Sequence, residues 1–118
     1  MVSKIPALDE VWLVTLDPTR GFEIQKTRPC LIISPDEMNR HLQTIIIAPM
    51  TTTERRYPTR VPLSFQKQRG QIALDQIRAV DRQRLIRKIG TVSPKTAEAV
   101  SARLIEMFAR PLAASGGQ

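Results

Sequence analysis

The chain has one cysteine and one histidine, Cys30 and His41. That pair cannot by itself assemble a tetrahedral zinc site, and an internal disulfide is excluded. Chemistry that uses two histidines is excluded as well, and a serine–histidine arrangement would rest on His41 with nothing near it in sequence to orient the ring. Neither GxxxxGK[ST] nor GxGxxG occurs, so a nucleotide-phosphate cradle is not expected. No apolar run approaches the roughly 18 residues that span a bilayer, and the N-terminus lacks the apolar segment of a signal peptide. A soluble, cytoplasmic protein is expected. Aromatic residues make up only 4%, namely Trp12, Phe22, Tyr57, Phe65 and Phe108. The core must therefore come from Ile, Leu, Val and Ala. Cys30 lies inside an apolar stretch and reads as a small buried hydrophobe in a reducing compartment.

What is present is positive charge, unevenly placed. At 118 residues the chain has the length of one domain with its own core. Residues 1–50 carry five basic and six acidic side chains, whereas residues 51–118 carry thirteen basic and five acidic. Arginine supplies 13 of the 18 cations and clusters in RRYPTR (55–60) and RQRLIRK (82–88). Its planar guanidinium suits bidentate contact with phosphate. A polyanionic partner is implied, nucleic acid first.

Strands dominate the expected structure. EVWLVTLDP (10–18) is apolar on both faces and predicts a central strand that stops at Asp17-Pro18. Residues 18–28 form a polar, glycine-containing loop. CLIIS (30–34) and TIIIAPM (44–50) predict buried strands joined by about one helical turn. TRVPLSF (59–65) and GQIALDQIRAV (70–80) predict two more, with Pro62 placing the first at an edge or bulge. Ser93-Pro94 is a helix start. Ala97, Val100, Leu104 and Phe108 then recur at the spacing of an amphipathic helix packed on a sheet. Five or six strands followed by one long helix predict a mainly β fold, a small antiparallel barrel about residues 8–92. A helix about 94–110 and a frayed tail 111–118 complete a single domain, residues 1–118.

Four segments in order, VWLVTLDPTRG-E (11–23), KTRPCLIISPDEMNR (26–40), TIIIAPMTT (44–52) and GQIALDQIRAVDRQRL (70–85), resemble the MazF/PemK toxin family over roughly residues 8–110. The resemblance implies the SH3-like antiparallel barrel of the CcdB/PemK type, a homodimer, and an endoribonuclease of a toxin–antitoxin pair. The reaction it implies is metal-free cutting of single-stranded RNA at short specific sequences. The ribose 2′-OH attacks its own phosphate, leaving a 2′,3′-cyclic phosphate and a 5′-OH end. No cofactor is implied. The inhibitor would be a cognate antitoxin with an acidic, disordered segment.

By the same resemblance Arg28 matches the catalytic arginine, a fixed cation where phosphoryl charge develops. Pro29 biases Arg28 toward extended backbone and the apolar run behind it gives an anchor. Thr51 matches the catalytic threonine, although a threonine in TTT can equally form a turn. The base is open between Asp75, matched to a carboxylate with that task, and Glu23; either can instead pair with an arginine. Contacts to RNA are expected from Arg20, Lys26, Arg55, Arg56, Gln76, Arg78, Arg82 and Arg84.

The chain departs from the family pattern in four places. Asp9 stands where a glycine precedes the first strand, and GFEI (21–24) puts Phe22 and Ile24 where polar residues are usual. Ala73 replaces an arginine two residues before the aspartate, so a general acid placed there is absent. Phe22 could stack on an unpaired base, pack on the barrel or face the antitoxin. The alternative to a nuclease is a non-catalytic module on the same barrel, either a CcdB-like gyrase poison or a nucleic-acid-binding protein.

Overall fold

The structure is a computed structural model that describes residues 5–16 and 20–111. The expected turn at Asp17-Pro18 and nearly all of the expected tail lie outside the described residues. The elements in chain order are β1 (Glu10–Thr15), β2 (Thr27–Ile32), α1 (Asp36–His41), β3 (Thr44–Thr51), β4 (Arg60–Phe65), β5 (Gln68–Ala73), β6 (Arg78–Asp81), β7 (Leu85–Thr91) and α2 (Pro94–Phe108).

The sheet is antiparallel and runs β4-β5-β3-β2-β1-β7, with β6 also on β3. β1 is central, as its two apolar faces predict, lying between β2 and β7. β4 is the edge strand that Pro62 requires. β3 acts as the pivot: its first half, Thr44 to Ile47, pairs with β6, and its end, Met50 and Thr51, pairs with β5. The sheet curls into a half-barrel. At its open side Phe65 lies against Gly90, where an added Cβ would come within 2.6 Å of the ring, and the Gln66 side-chain amide donates to the Ile89 carbonyl at 2.8 Å.

Alternation along the central strands divides the interior in two. Val11, Leu31, Ala48, Met50, Ile72 and Leu74 form one cluster with Val100 of α2. Val14, Cys30, Ile32, Ile45, Ile47 and Leu85 form the other, on which Trp12 and Ile24 pack. Ser93 caps α2 by accepting from the Thr96 N–H at 3.2 Å, with Pro94 in its first turn. Ala97, Leu104 and Met107 cover the first cluster.

Three expectations are corrected. Residues 70–80 are not one strand: β5 ends at Ala73, a 3₁₀ turn over Leu74–Gln76 buries Leu74, and β6 begins at Arg78. That break lets the chain cross from one end of β3 to the other. The described residues form seven strands rather than five or six, because Leu85–Thr91, which begins inside RQRLIRK, is a strand whose exposed positions carry Arg87 and Lys88. Finally, Phe108 lies outside the buried stripe of α2 and is exposed.

Candidate active site

Arg28 belongs to β2 itself, opposite Val14 of β1, one step inside the strand that its sequence position suggested it would precede. On the other edge the register pairs Cys30 with Pro49 and Leu31 with Ala48. Continued two residues, the same antiparallel register puts Arg28 opposite Thr51. The Arg28 Nε donates to the Gln25 carbonyl at 2.9 Å, which fixes the guanidinium stem against the β1–β2 loop.

Thr51 is 7% exposed. Its Oγ1 accepts from the Thr53 N–H at 3.1 Å, so the turn motif is formed, and the hydroxyl still has its proton to donate. Gly70 of β5 runs beside it. A Cβ there would lie 2.8 Å from the Thr51 carbonyl oxygen, a backbone atom that cannot swing aside.

Arg28 and Thr51 line one cleft of about 320 Å³ together with Glu23, Asp75, Gln76 and Arg55. All four side chains singled out for catalysis, which are 52 positions apart at the extremes, therefore meet in one place. Asp75 stands in the 3₁₀ turn and is held tightly. Arg60 Nε donates to its Oδ1 at 2.7 Å, Arg60 Nη2 to its Oδ2 at 3.2 Å, and Thr59 Oγ1 to Oδ1 at 3.1 Å. The two side chains are 7% and 25% exposed. Burial raises the Asp75 pKa, but the hydrogen bonds from Arg60, its own backbone and Thr59 outweigh it. The carboxyl is held below its ordinary value. Glu23 is exposed, with Oε1 accepting from the Arg20 N–H at 2.7 Å.

Gln76 works on the protein's own backbone. Its Oε1 accepts from the Ile24 N–H at 3.1 Å and its Nε2 donates to the Phe22 carbonyl at 3.4 Å. It thereby ties the β1–β2 loop to the 3₁₀ turn. Lys26 completes that loop at φ 72°, in the left-handed region, just before β2.

The other arginines expected to contact RNA fall into two groups. Arg55 lines the cleft, and Arg56 and Arg20 are exposed on its two flanking loops. Arg78 lies next to it, lining an adjoining hollow with Phe22 and Asp75 while donating to the Leu16 carbonyl at 3.4 Å. Arg84 donates to the Thr15 carbonyl at 3.2 Å. Arg82 donates to the Asn39 carbonyl at 2.5 Å and also to that of Leu42. It thus closes the C-terminal end of α1, where a cation and carbonyl oxygens attract.

Gln25, Thr53, Tyr57 and Arg60 are cleft residues that were not singled out from the sequence. The Arg60 guanidinium carbon lies 5.2 Å from the Tyr57 ring centroid. The available signal was a lone aromatic inside the basic stretch RRYPTR. Among the described residues no three His, Cys, Asp or Glu side chains gather as metal ligands.

The family model of PemK-like, MazF-like toxins of type II toxin–antitoxin systems matches residues 9–108. The chain belongs to this family. It is 33% identical over 106 residues to the endoribonuclease toxin MazF of Escherichia coli K12, covering 88% of this chain and 96% of that one. Its fold is similar to that of MazF from Deinococcus radiodurans, with a TM-score of 0.79 at 22% identity over 90% of this chain and 98% of that one. It is also similar to an endoribonuclease solved with its cognate antitoxin from a mycobacterial species, with a TM-score of 0.76 at 25% identity over 91% and 98% of the two chains.

Proposed function

We propose that this toxin, an endoribonuclease by family, cuts single-stranded RNA at short specific sequences without a metal ion. The observation that carries the reading is that Arg28 of β2 and Thr51 of β3 line one cleft, together with Glu23 and Asp75. In the proposed reaction the ribose 2′-OH attacks the adjacent phosphorus, the bond from phosphorus to O5′ breaks as O5′ takes a proton from water, and a 2′,3′-cyclic phosphate and a 5′-OH remain. Negative charge gathers on the non-bridging oxygens. Arg28 supplies a fixed cation there and Thr51 Oγ1 a hydrogen bond, each preorganised by a strand. A guanidinium offers only donors, so another group takes the 2′-OH proton. Asp75 is engaged by Arg60 on both oxygens; we assign it to holding Arg60 and assign the proton to Glu23.

Arg55 lines the cleft and Arg78 the adjoining hollow, while Arg20, Lys26 and Arg56 belong to the loops that contribute to the cleft; all five are assigned to RNA phosphates. Arg82 and Arg84 bind backbone carbonyls and are assigned to the fold. We further propose a cytoplasmic homodimer, inhibited by a cognate antitoxin whose acidic segment occupies the same basic cleft. Raising salt should weaken both RNA and antitoxin, because counterions are released in each case.

The test uses purified protein, a mixed-sequence single-stranded RNA and EDTA, with Arg28→Ala alongside. Discrete cuts with 5′-OH ends, lost in the variant, are the expected result. RNA that is bound but left intact by the wild type would overturn the nuclease reading and leave a non-catalytic binding module. Cutting abolished by EDTA would overturn its metal independence.

A further inference from the structure

Phe22 is 101% exposed and Tyr57 is 50% exposed. These are two of the five aromatic residues in the chain, and water is an unfavourable surrounding for a ring. Both line the cleft that contains Arg28 and Thr51. Neither is merely loose. The main chain of Phe22 is tied through its carbonyl to Gln76, and the next residue but one, Ile24, is anchored by the same amide and packs on the second core cluster. Tyr57 has the Arg60 guanidinium over its ring at 5.2 Å, and its carbonyl accepts from the Arg60 N–H at 3.0 Å. Arg60 is in turn fixed by Asp75. A ring stacked on a held cation and still half open is a preorganised platform.

We propose that Phe22 and Tyr57 form a stacking subsite for one unpaired base of RNA beside the scissile phosphate, with Asp75 and Arg60 as the positioning residues for Tyr57. The inference rests on the nuclease reading and adds a subsite to it. An aromatic face binds any base, so stacking alone fixes the strand in place. The same cleft is lined by the polar residues Gln25 and Thr53, which are assigned to the edge of the held base. One subsite would thereby help set where the chain is cut.

The test measures cutting of a short RNA containing the recognised sequence by wild type, Tyr57→Ala, Tyr57→Phe and Phe22→Ala. A matched set of RNAs carries a single abasic nucleotide, with its 2′-OH kept, at each position around the cut. The expected result is a KM raised about 10-fold or more by either alanine, with kcat changed by less than a few-fold and Tyr57→Phe close to wild type. On one abasic RNA the wild type should lose the same factor and the alanines should lose nothing further. Losses that persist undiminished on every abasic RNA would overturn the subsite, since no base would then account for them. So would alanine variants that cut like the wild type, while leaving the nuclease reading intact. Alanine variants that weaken only an acidic antitoxin peptide would assign the rings to protein binding and overturn it too. An RNA that the wild type neither binds nor cuts would overturn both readings together.

Discussion

Asp75 accepts from both ends of the Arg60 guanidinium, at 2.7 and 3.2 Å, and Arg60 covers the ring of Tyr57. A carboxylate matched by resemblance to proton transfer is therefore the foot of a three-residue stack that shapes one wall of the cleft. The arrangement separates two carboxylates that the sequence could not separate.

Asp75→Asn should lower stability by about 1–3 kcal/mol, the cost of removing one member of a charged hydrogen-bonded pair. The sign with pH follows from its lowered pKa. The folded carboxyl releases its proton more readily than the unfolded one, so its contribution is complete above the ordinary value of 3.8 and is lost as pH falls through the folded value. Denaturant unfolding of both proteins at pH 7 and pH 3 checks this, and the gap should narrow in acid.

Glu23→Gln should slow single-turnover cutting about 100-fold or more, the usual scale of general base catalysis, with the melting temperature unchanged. Asp75→Asn, assayed while folded, should keep the shape of the wild-type pH–rate profile. If it instead removes a limb of that profile while Glu23→Gln keeps it, the roles of the two carboxylates are exchanged.

Gly70→Ala would press a methyl group to within 2.8 Å of the Thr51 carbonyl. Strand β5 and Thr51 must part, so a stability loss of about 1–3 kcal/mol and roughly 10-fold slower cutting are expected. A crystal structure of the variant would show Thr51 displaced from Arg28.

Asp9 has φ 72°, in the left-handed region that favours glycine. Burial, and secondarily the charge of Asp36, raise its carboxyl pKa. The folded state thus holds this proton more tightly than the unfolded state, and stability falls as pH rises through the folded value. Asp9→Gly should stabilise by about 1 kcal/mol from the backbone alone, and by more at pH 7 than at pH 4. Thermal melts at both values test it.

Cys30 is buried and its thiol is pushed up to about 12 by desolvation, against the opposing pull of Arg28 and Arg78. Maleimide labelling at pH 8 should be slow in the native protein and fast in denaturant. Rapid native labelling would mean that β2 opens readily.

Much of the fold was legible in the sequence because local chemistry and tertiary demand agree there. The apolar faces of residues 11–16, the edge position of Pro62, the Ser93 cap and the stripe through Val100 each have one good solution. Where charge masks alternation, as in Leu85–Thr91, or where a run must break to change partners, as at Leu74–Gln76, composition pointed elsewhere. Arg28 and Thr51 were legible as single residues. Their meeting in one cleft was not, since it depends on how β2, β3 and the loops beside them are placed in space.

The sequence alone determined that this chain would be a mainly β, arginine-rich domain, since residue types and periodicity decide those things. Only the tertiary structure decided which arginines face the cleft and which hold the fold. A guanidinium is equally suited to a phosphate and to a carbonyl oxygen, and Arg82 and Arg84 have carbonyls within reach because α1 and β1 are folded beside them.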